Sequence, residues 1–237
     1  MKLEGLSEEQ ACSRIWLFDV NGLLENTRKD LIQEQKVYAH VHTPTRDLVE
    51  AINSIGPNIL IGVSTVGKAF TQAVIEAMSR VNERPVIFAL SNPTERAECT
   101  PEEAYRWSQG KVIYAAGVQF PPVHYDGDTF LPGQANNFYV YPAIGLAIYA
   151  TRAKLVTDEM FIEAARGTAD RVTDKQRKVG LLFPPQSNIL KTEVQTAQQV
   201  AALVFKRNLA RADPPKDINA WFQAMRYKPE YTAYSNY

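Results

Sequence analysis

Four short apolar runs, separated by helical patterns, constrain the fold more than any other feature of this sequence. The runs cover residues 15–18 (IWLF), 59–63 (ILIGV), 86–90 (VIFAL) and, more weakly, 112–116 (VIYAA). They are rich in β-branched residues and apolar on both faces, as parallel strands covered on both sides must be. Strands that alternate with helices indicate βαβ units, so the pattern predicts an α/β fold around a buried parallel sheet.

The segments between these runs have the periodicity of amphipathic helices. Apolar residues recur at helical spacing over residues 45–55 and 69–81, and Thr100, followed by a proline and by Glu103, is a strong helix start. The chain then changes character after Gly117. The sequence beyond this residue predicts a long loop over residues 118–137 and helices over residues 138–150, 157–172 and 192–211.

Composition excludes several classes of function. The 237 residues suffice for one large domain with an appendage, and 26 basic residues balance 26 acidic ones, which argues against nucleic acid as a partner. Cys12 and Cys99 have no metal-binding spacing and are expected to be free thiols. The sequence suggests no transmembrane segment, signal peptide or clear presequence, so we expect an intracellular protein of the cytoplasm or the mitochondrial matrix.

Polar or small residues follow each predicted strand. Asp19 follows the first, Ser64 the second, Ser91 and Asn92 the third, and Gly117 the fourth. In an open parallel sheet, ligands bind outside the carboxyl ends of the strands. We therefore expect a ligand site at this edge of the sheet.

Several long motifs can be compared with a known family. Residues 82–94 (NERPVIFALSNPT) and 97–105, which contain AECT and EEAY, resemble the segment NERPxIFALSNPT…AECTxEEAY of malic enzymes. Residues 132–137 (PGQANN) resemble the PGQGNN loop of that family, and residues 15–19 (IWLFD) resemble its second nucleotide-binding strand. Residues 157–161 and 182–185 resemble its later helix and its GRLYPP stretch, so the resemblance covers about residues 5–205.

The resemblance is to the carboxyl-terminal part of the nucleotide-binding domain of malic enzymes. It implies an incomplete doubly wound, Rossmann-like parallel sheet with a carboxyl-terminal helical extension. Residues 1–150 would form a partial dinucleotide-binding domain without the glycine-rich first βα unit. Residues 151–237 would form the helical extension and a tail, with tyrosines at 227, 231, 234 and 237, that packs on it or on a partner.

The resemblance also implies a chemistry, the oxidation of malate to pyruvate and carbon dioxide with NAD or NADP and a divalent metal. In the family, the acid, the base, the metal ligands and the pyrophosphate loop lie upstream of the matching segment, so we expect no catalytic or metal-binding residue here. Family roles carry over to Asp19, Val63, Ser64, Ser91 and Asn92 for the cofactor, and to Asn92, Asn136 and Asn137 for the substrate. Whether this chain binds a nucleotide stays open, and so does the choice between NAD and NADP, because either Lys36 or Gln35 could occupy the selecting position.

Some positions depart from the family pattern. Ala116 and Val118 replace serines, Ala135 replaces the second glycine of PGQGNN, and Thr65 stands where a glycine is expected. These changes suggest relaxed selection on the site. We therefore expect a chain that is inactive alone and acts as a subunit or remnant, with a protein partner or a second copy covering the exposed sheet edge. The alternative is one half of a split, active malic enzyme.

Other candidate sites are weaker. His40 and His42 form a His-x-His pair without a third ligand in a fitting spacing, which disfavours a metal site. Ser64 and Ser91 lack the GxSxG elbow of hydrolases. Gly62 and Gly67 are too sparse to form a phosphate cradle.

Overall fold

A computed structural model describes residues 1 and 4–226, and the chain divides into two compact units. The first unit is Met1–Pro132, and the second begins at Gly133. This division reflects packing, whereas the functional division at residue 150 stays a prediction. The four tyrosines of the tail, at 227, 231, 234 and 237, lie outside the described residues.

The first unit contains the parallel sheet and its covering helices. Its elements in chain order are α1 (Glu8–Cys12), β1 (Phe18–Asp19), β2 (Gly22–Leu23), α2 (Gln33–Lys36), α3 (Leu48–Ile55), β3 (Ile59–Gly62), α4 (Gln72–Val81), β4 (Val86–Ala89), α5 (Pro101–Trp107), β5 (Ile113–Ala116), β6 (Val123–Tyr125) and β7 (Asp128–Phe130). A 3₁₀ turn, Thr94–Arg96, lies between β4 and α5.

Strands β3, β4 and β5 form the predicted parallel arrangement. They pair in sequence order, and the register aligns Leu60 with Ile87 and Ile87 with Tyr114. Helical crossovers separate successive strands, as parallel neighbours require. The α/β class and the Rossmann-like sheet are therefore confirmed.

The helix ends follow the local sequence signals. Thr100 caps α5 in a capping box, where its hydroxyl accepts from the backbone N–H of Glu103 at 3.2 Å. Asp47 caps α3, and Gly56, with a φ of 64°, ends that helix in the left-handed conformation. The helices then pack their apolar faces on one side of the sheet, with Ile75, Met78 and Tyr105 fully buried.

The prediction that all strands are covered on both faces is wrong for β3. Its residues alternate in exposure, and the exposed fractions of Ile59, Ile61 and Val63 are 55%, 54% and 72%. The helices of this unit cover only the face that carries Leu60 and Ile87. A row of apolar side chains therefore stands open along one strand.

The prediction of a buried parallel strand at residues 15–18 is also wrong. Only Phe18–Asp19 is a strand, and it pairs antiparallel with β2 in a short hairpin. Leu24 donates its N–H to the carbonyl of Leu17 at 2.9 Å, and His40 contacts the carbonyl of Ile15 at 2.8 Å. The backbone groups of this segment have thus found local partners instead of a parallel ladder.

The segment predicted as a loop over residues 118–137 contains a hairpin. Strands β6 and β7 pair antiparallel around Asp126 and Gly127, whose φ values of 51° and 82° suit a tight two-residue turn. The ring of Phe130 stacks on Tyr105 with centroids 4.3 Å apart. The Asp-Gly pair in the sequence was the signal for this hairpin.

The second unit is mainly helical. Its elements are β8 (Gly133–Gln134), a 3₁₀ turn (Asn137–Tyr139), α6 (Tyr141–Thr151), α7 (Asp158–Ala169), α8 (Asp174–Lys178), a 3₁₀ turn (Gln186–Asn188), α9 (Ile189–Lys206) and α10 (Ile218–Met225).

Helix α9 is the centre of this unit and packs against α6, α7 and α10. The three helices predicted after residue 137 correspond to α6, α7 and α9, whereas α10 was not predicted. Phe222 anchors α10 because its side chain is fully buried. Among the described residues, no helix is long and apolar enough to cross a membrane.

Candidate functional site

The carboxyl ends of the parallel strands gather several predicted site residues in the first unit. The register places Gly62 beside Ala89 and Ala89 beside Ala116, so the residues that follow β3 and β4 leave the sheet at one edge. Val63, Ser64 and Asn92 are exposed there, whereas Ser91 is buried. This edge is where an open parallel sheet binds its ligands.

A buried carboxylate connects the two strand ends. The side chain of Glu98 is fully buried, and its Oε1 atom accepts from the hydroxyl of Ser91 at 2.5 Å and from the backbone N–H of Ser64 at 3.2 Å. The hydroxyl of Ser64 also donates to Oε1, at 3.3 Å, and the N–H of Ser91 donates to Oε2 at 3.3 Å. Four hydrogen bonds thus satisfy a buried carboxyl group, which would be costly to bury without partners. We call Ser64, Ser91 and Glu98 the Glu98 network.

The β3 loop, residues 63–68, has a strained backbone at Thr65. Its φ is 59°, in the left-handed region that β-branched residues avoid. The backbone N–H of Thr65 donates to the hydroxyl of Ser91 at 2.9 Å, and the carbonyl of Thr65 accepts from Arg96 at 3.3 Å. The left-handed conformation of Thr65 is consistent with the expectation of a glycine at this position. Hydrogen bonds to Ser91, which follows β4, and to Arg96 in the next turn hold the backbone in that conformation.

The glycine at the end of β3 and the glycine within the β3 loop face protein rather than open space. A Cβ atom on Gly62 would lie 2.4 Å from the side chain of Glu98, and one on Gly67 would lie 2.3 Å from the carbonyl oxygen of Glu95. The lack of a side chain therefore lets Glu98 pack against Gly62 and the backbone of Glu95 pack against Gly67. Their role differs from that of glycines that let a phosphate approach the backbone.

Asn92 lies in the exposed turn after β4. Its side-chain amide donates to the carbonyl of Leu90 at 3.3 Å, and the Asn92–Pro93 peptide bond is cis. Gly117, at the end of β5, lies against this turn, because a Cβ atom there would be 2.2 Å from the Leu90 oxygen and 3.0 Å from the Asn92 amide nitrogen. The packing of β4 and β5 thus sets the position of Asn92.

Asp19 lies in the β1–β2 hairpin and is engaged by Arg28. The guanidinium donates to both carboxylate oxygens at 2.8 Å, and the backbone N–H of Asn21 donates to one of them at 2.8 Å. The hydrogen bond from Arg28 lowers the pKa of Asp19 below its usual value. Arg28 also binds Asp30 at 2.6 Å and lowers the pKa of Asp30 to about 2.

The pairing constrains what Asp19 could do for a nucleotide. Its carboxylate is ionised and can accept ribose hydroxyls, but Arg28 already occupies a position on each oxygen. Beside the pair, an open cleft of about 630 Å³ is lined by Arg28, Asp30 and Arg46, among others. Sequence reasoning missed Arg28, although the sequence shows this basic residue shortly after the Gly-Leu pair that forms β2.

The substrate-facing asparagines predicted from the PGQANN motif lie in the second unit. Asn136 and Asn137 are both exposed, and the side chain of Asn136 accepts from the backbone N–H of Phe138 at 3.1 Å. Tyr139, which follows, is buried and donates its hydroxyl to the carbonyl of Pro184. Ala135 is not among the described residues with positive φ, so its side chain adds no left-handed strain.

The structure also gives the positions of Ala116, which departs from the family pattern, and of the histidine pair considered as metal ligands. Ala116 is fully buried in the core on the helix-covered face of β5, so its replacement of serine changes core packing rather than the exposed edge. His40 lies against Trp16, with ring centroids 4.2 Å apart, and His42 contacts Ser54 at 2.9 Å. Over residues 1 and 4–226, no cluster of three or more His, Cys, Asp or Glu side chains could hold a metal ion.

Comparisons with known proteins agree with the motifs. The family profile described as "Malic enzyme, NAD binding domain" matches residues 1–205. The NADP-dependent malic enzyme of Vitis vinifera is 46% identical over 228 residues, which are 95% of this chain and 39% of that protein. NADP-dependent malic enzyme 1 of Arabidopsis thaliana is 45% identical over 230 residues, 96% of this chain and 40% of that protein.

Solved structures show the same fold. The crystal structure of the Entamoeba histolytica malic enzyme matches 89% of this chain and 40% of its own with a TM-score of 0.69 at 23% identity. The malic enzyme from Pyrococcus horikoshii Ot3 matches 82% of this chain and 41% of its own with a TM-score of 0.60 at 22% identity. The chain therefore spans about two-fifths of the length of the relatives that it matches.

Proposed function

The chain belongs to the malic enzyme family, and on that premise we propose that it is a nucleotide-binding subunit or remnant in an assembly and does not oxidise malate alone. The activity named for its relatives belongs to proteins of which this chain matches about two-fifths. The observation that best supports a nucleotide-facing role is the Glu98 network, which joins the ends of β3 and β4 where an α/β sheet binds ligands.

The proposed roles follow from the chemistry of the exposed groups. When bound, NAD or NADP would accept a hydride from malate. The β3 loop with Val63 and Ser64 would contact the nucleotide, and Asp19 would accept from its ribose. Asn92 in the first unit, and Asn136 and Asn137 in the second, each carry a side-chain amide of the kind that can donate to a carboxylate such as that of malate without adding charge.

The exposed apolar side chains along β3 support the proposal that the chain is part of an assembly. Ile59, Ile61 and Val63 present apolar side chains on or beside a strand that, within the described residues, is at the edge of its sheet and pairs with β4. Exposed edges with apolar side chains favour association with a further strand or chain. We propose that the occupant is a protein partner; in the split-enzyme candidate, that partner carries the part of the malic enzyme fold that this chain does not match. A second copy of the chain would be revealed by the mass of the purified protein.

The second candidate is half of a split enzyme that becomes active when completed. It is favoured by the contacts at the site, since Gly117 fits against Leu90 and Asn92 is exposed. The first candidate is favoured by the changes at Thr65 and Val118, which lie in or beside the loops of this edge.

A chimera separates the two candidates. The matching region of the Vitis vinifera enzyme is replaced by this chain, and malate-dependent reduction of NAD and NADP is measured with Mn²⁺ present. We expect the isolated chain to bind a nucleotide, as measured by calorimetry, and not to turn over malate. A folded chimera that binds nucleotide but does not turn over malate supports a non-catalytic subunit. An active chimera whose activity Asn92→Ala abolishes supports the split enzyme. Turnover by the isolated chain refutes the proposal.

A further inference from the structure

The β3 loop depends on residues far along the chain for its conformation. Thr65 holds a φ of 59°, and its N–H bonds to Ser91, which is itself bound to Glu98. A β-branched residue in the left-handed region persists only where its surroundings hold it there. The loop is thus positioned by the buried residues beneath it rather than by its own preference.

Glu98 is the part of this arrangement that reaches both strand ends. Its carboxylate accepts from the backbone N–H groups of Ser64 and Ser91 as well as from their hydroxyls. The space for the carboxylate exists because Gly62 has no side chain, since a Cβ atom there would overlap Glu98. Glu98 itself lies beneath the exposed loop and is fully buried.

We propose that Glu98 is a positioning residue for the nucleotide, which fixes the β3 loop in the conformation that binds. The inference rests on the proposed function, because it assumes that Val63 and Ser64 contact the cofactor. Glu98 acts through the hydrogen bonds to Ser64 and Ser91 and does not touch the ligand. Its loss should leave the sheet intact, because the apolar core of β3, β4 and β5 is formed by other side chains.

The test compares Glu98→Gln with Glu102→Gln in the full chain. Glutamine keeps the size of the side chain, but its amide nitrogen cannot accept from the N–H of Ser91. Glu102 is an exposed acid four residues away, so its variant controls for the lost charge. Affinity for NAD and NADP is measured by calorimetry, and hydrogen exchange is followed in peptides spanning residues 59–70 and 101–107.

We expect Glu98→Gln to weaken the affinity for the bound nucleotide about tenfold, the effect of one lost charge-assisted hydrogen bond. Exchange at residues 59–70 should accelerate while residues 101–107 stay unchanged, and Glu102→Gln should behave as the parent. Adding Thr65→Gly to Glu98→Gln should restore part of the affinity, because glycine adopts positive φ without support.

The outcomes separate this inference from the proposed function. Equal affinities of the parent chain and Glu98→Gln overturn the positioning role, even if exchange in the β3 loop accelerates. Lower affinity together with faster exchange across both peptides also overturns it, since that result indicates general destabilisation. A parent chain that binds neither nucleotide refutes the proposed function itself, and the nucleotide role of Glu98 with it.

Discussion

The backbone N–H of Thr65 donates to the hydroxyl of Ser91 at 2.9 Å, so the left-handed residue after β3 is held by a residue at the end of β4. The two positions are 26 residues apart in sequence. The link makes the conformation of one strand-end loop depend on the next strand.

Replacing Thr65 should reveal the strain directly. Thr65→Gly and Thr65→Ala both remove the hydroxyl, but only alanine keeps the Cβ atom that disfavours positive φ. A left-handed residue costs about 1–2 kcal/mol, and the greater freedom of glycine in the unfolded chain offsets about 0.5–1 kcal/mol of that. We expect the free energy of unfolding to be about 0.5–1 kcal/mol higher for Thr65→Gly than for Thr65→Ala, measured by chemical denaturation. Equal stabilities would show that the loop relaxes around alanine.

Gly117 should tolerate no side chain. A Cβ atom would lie 2.2 Å from the Leu90 oxygen, a backbone atom that cannot move without shifting the end of β4. We expect Gly117→Ala to lower the free energy of unfolding by about 1–3 kcal/mol, as overpacking does. Circular dichroism during urea denaturation measures the loss.

Gly145 is the matched control for this substitution. It lies within α6, is exposed, and would have no atom within 4 Å of a Cβ added to it. Alanine in an exposed helix interior is more favourable than glycine by about 1 kcal/mol, so Gly145→Ala should stabilise the protein. Similar losses for both variants would contradict the contact assigned to Gly117.

The Arg28 pair should make stability depend on acid pH. The pKa of Asp30 is lowered from 3.8 to about 2, and the pKa of Asp19 is lowered as well. A carboxyl with a depressed folded pKa stabilises the folded state above its unfolded pKa, and this contribution is lost as the pH falls through the folded pKa. Between pH 3.8 and about 2 the parent should therefore lose stability.

The variant Arg28→Gln should lose less stability over the same pH range. Its carboxyls would titrate nearer their ordinary values, so the folded and unfolded states would bind similar numbers of protons. The exposed Arg14→Gln variant controls for the charge change and should follow the parent. Urea denaturation at a series of pH values measures the slope, and identical slopes for the parent and Arg28→Gln would exclude the pair as its cause.

The two cysteines should differ in reactivity. Burial raises the pKa of Cys99 to about 12, and its side chain is fully buried, so little thiolate forms. Cys12 is partly exposed. We expect iodoacetamide to label Cys12 in the native chain and both cysteines after denaturation, as peptide mass spectrometry would show. Native labelling of Cys99 at a comparable rate would mean that its surroundings open readily.

The strands and helices that were predicted correctly depend on short-range patterns. The apolar runs of β3, β4 and β5 and the capping box at Thr100 are local features, because they involve residues within a few positions of one another. The same reasoning failed for residues 15–18, because an apolar run does not say which strand will pair with it. It also missed α10, whose one fully buried residue, Phe222, packs through tertiary contacts.

Local patterns and motifs were enough to predict the α/β class, the segments that become the parallel strands and the family. They also identified Ser64, Ser91 and Asn92 as residues that follow parallel strands, whereas Asp19 lies in the antiparallel strand β1 itself. How these residues are held became known from the tertiary structure alone. Glu98 lies 34 positions from Ser64, and Arg28 lies nine from Asp19. Such contacts form when folding brings separated segments of the chain together, and no local pattern encodes which side chains then meet.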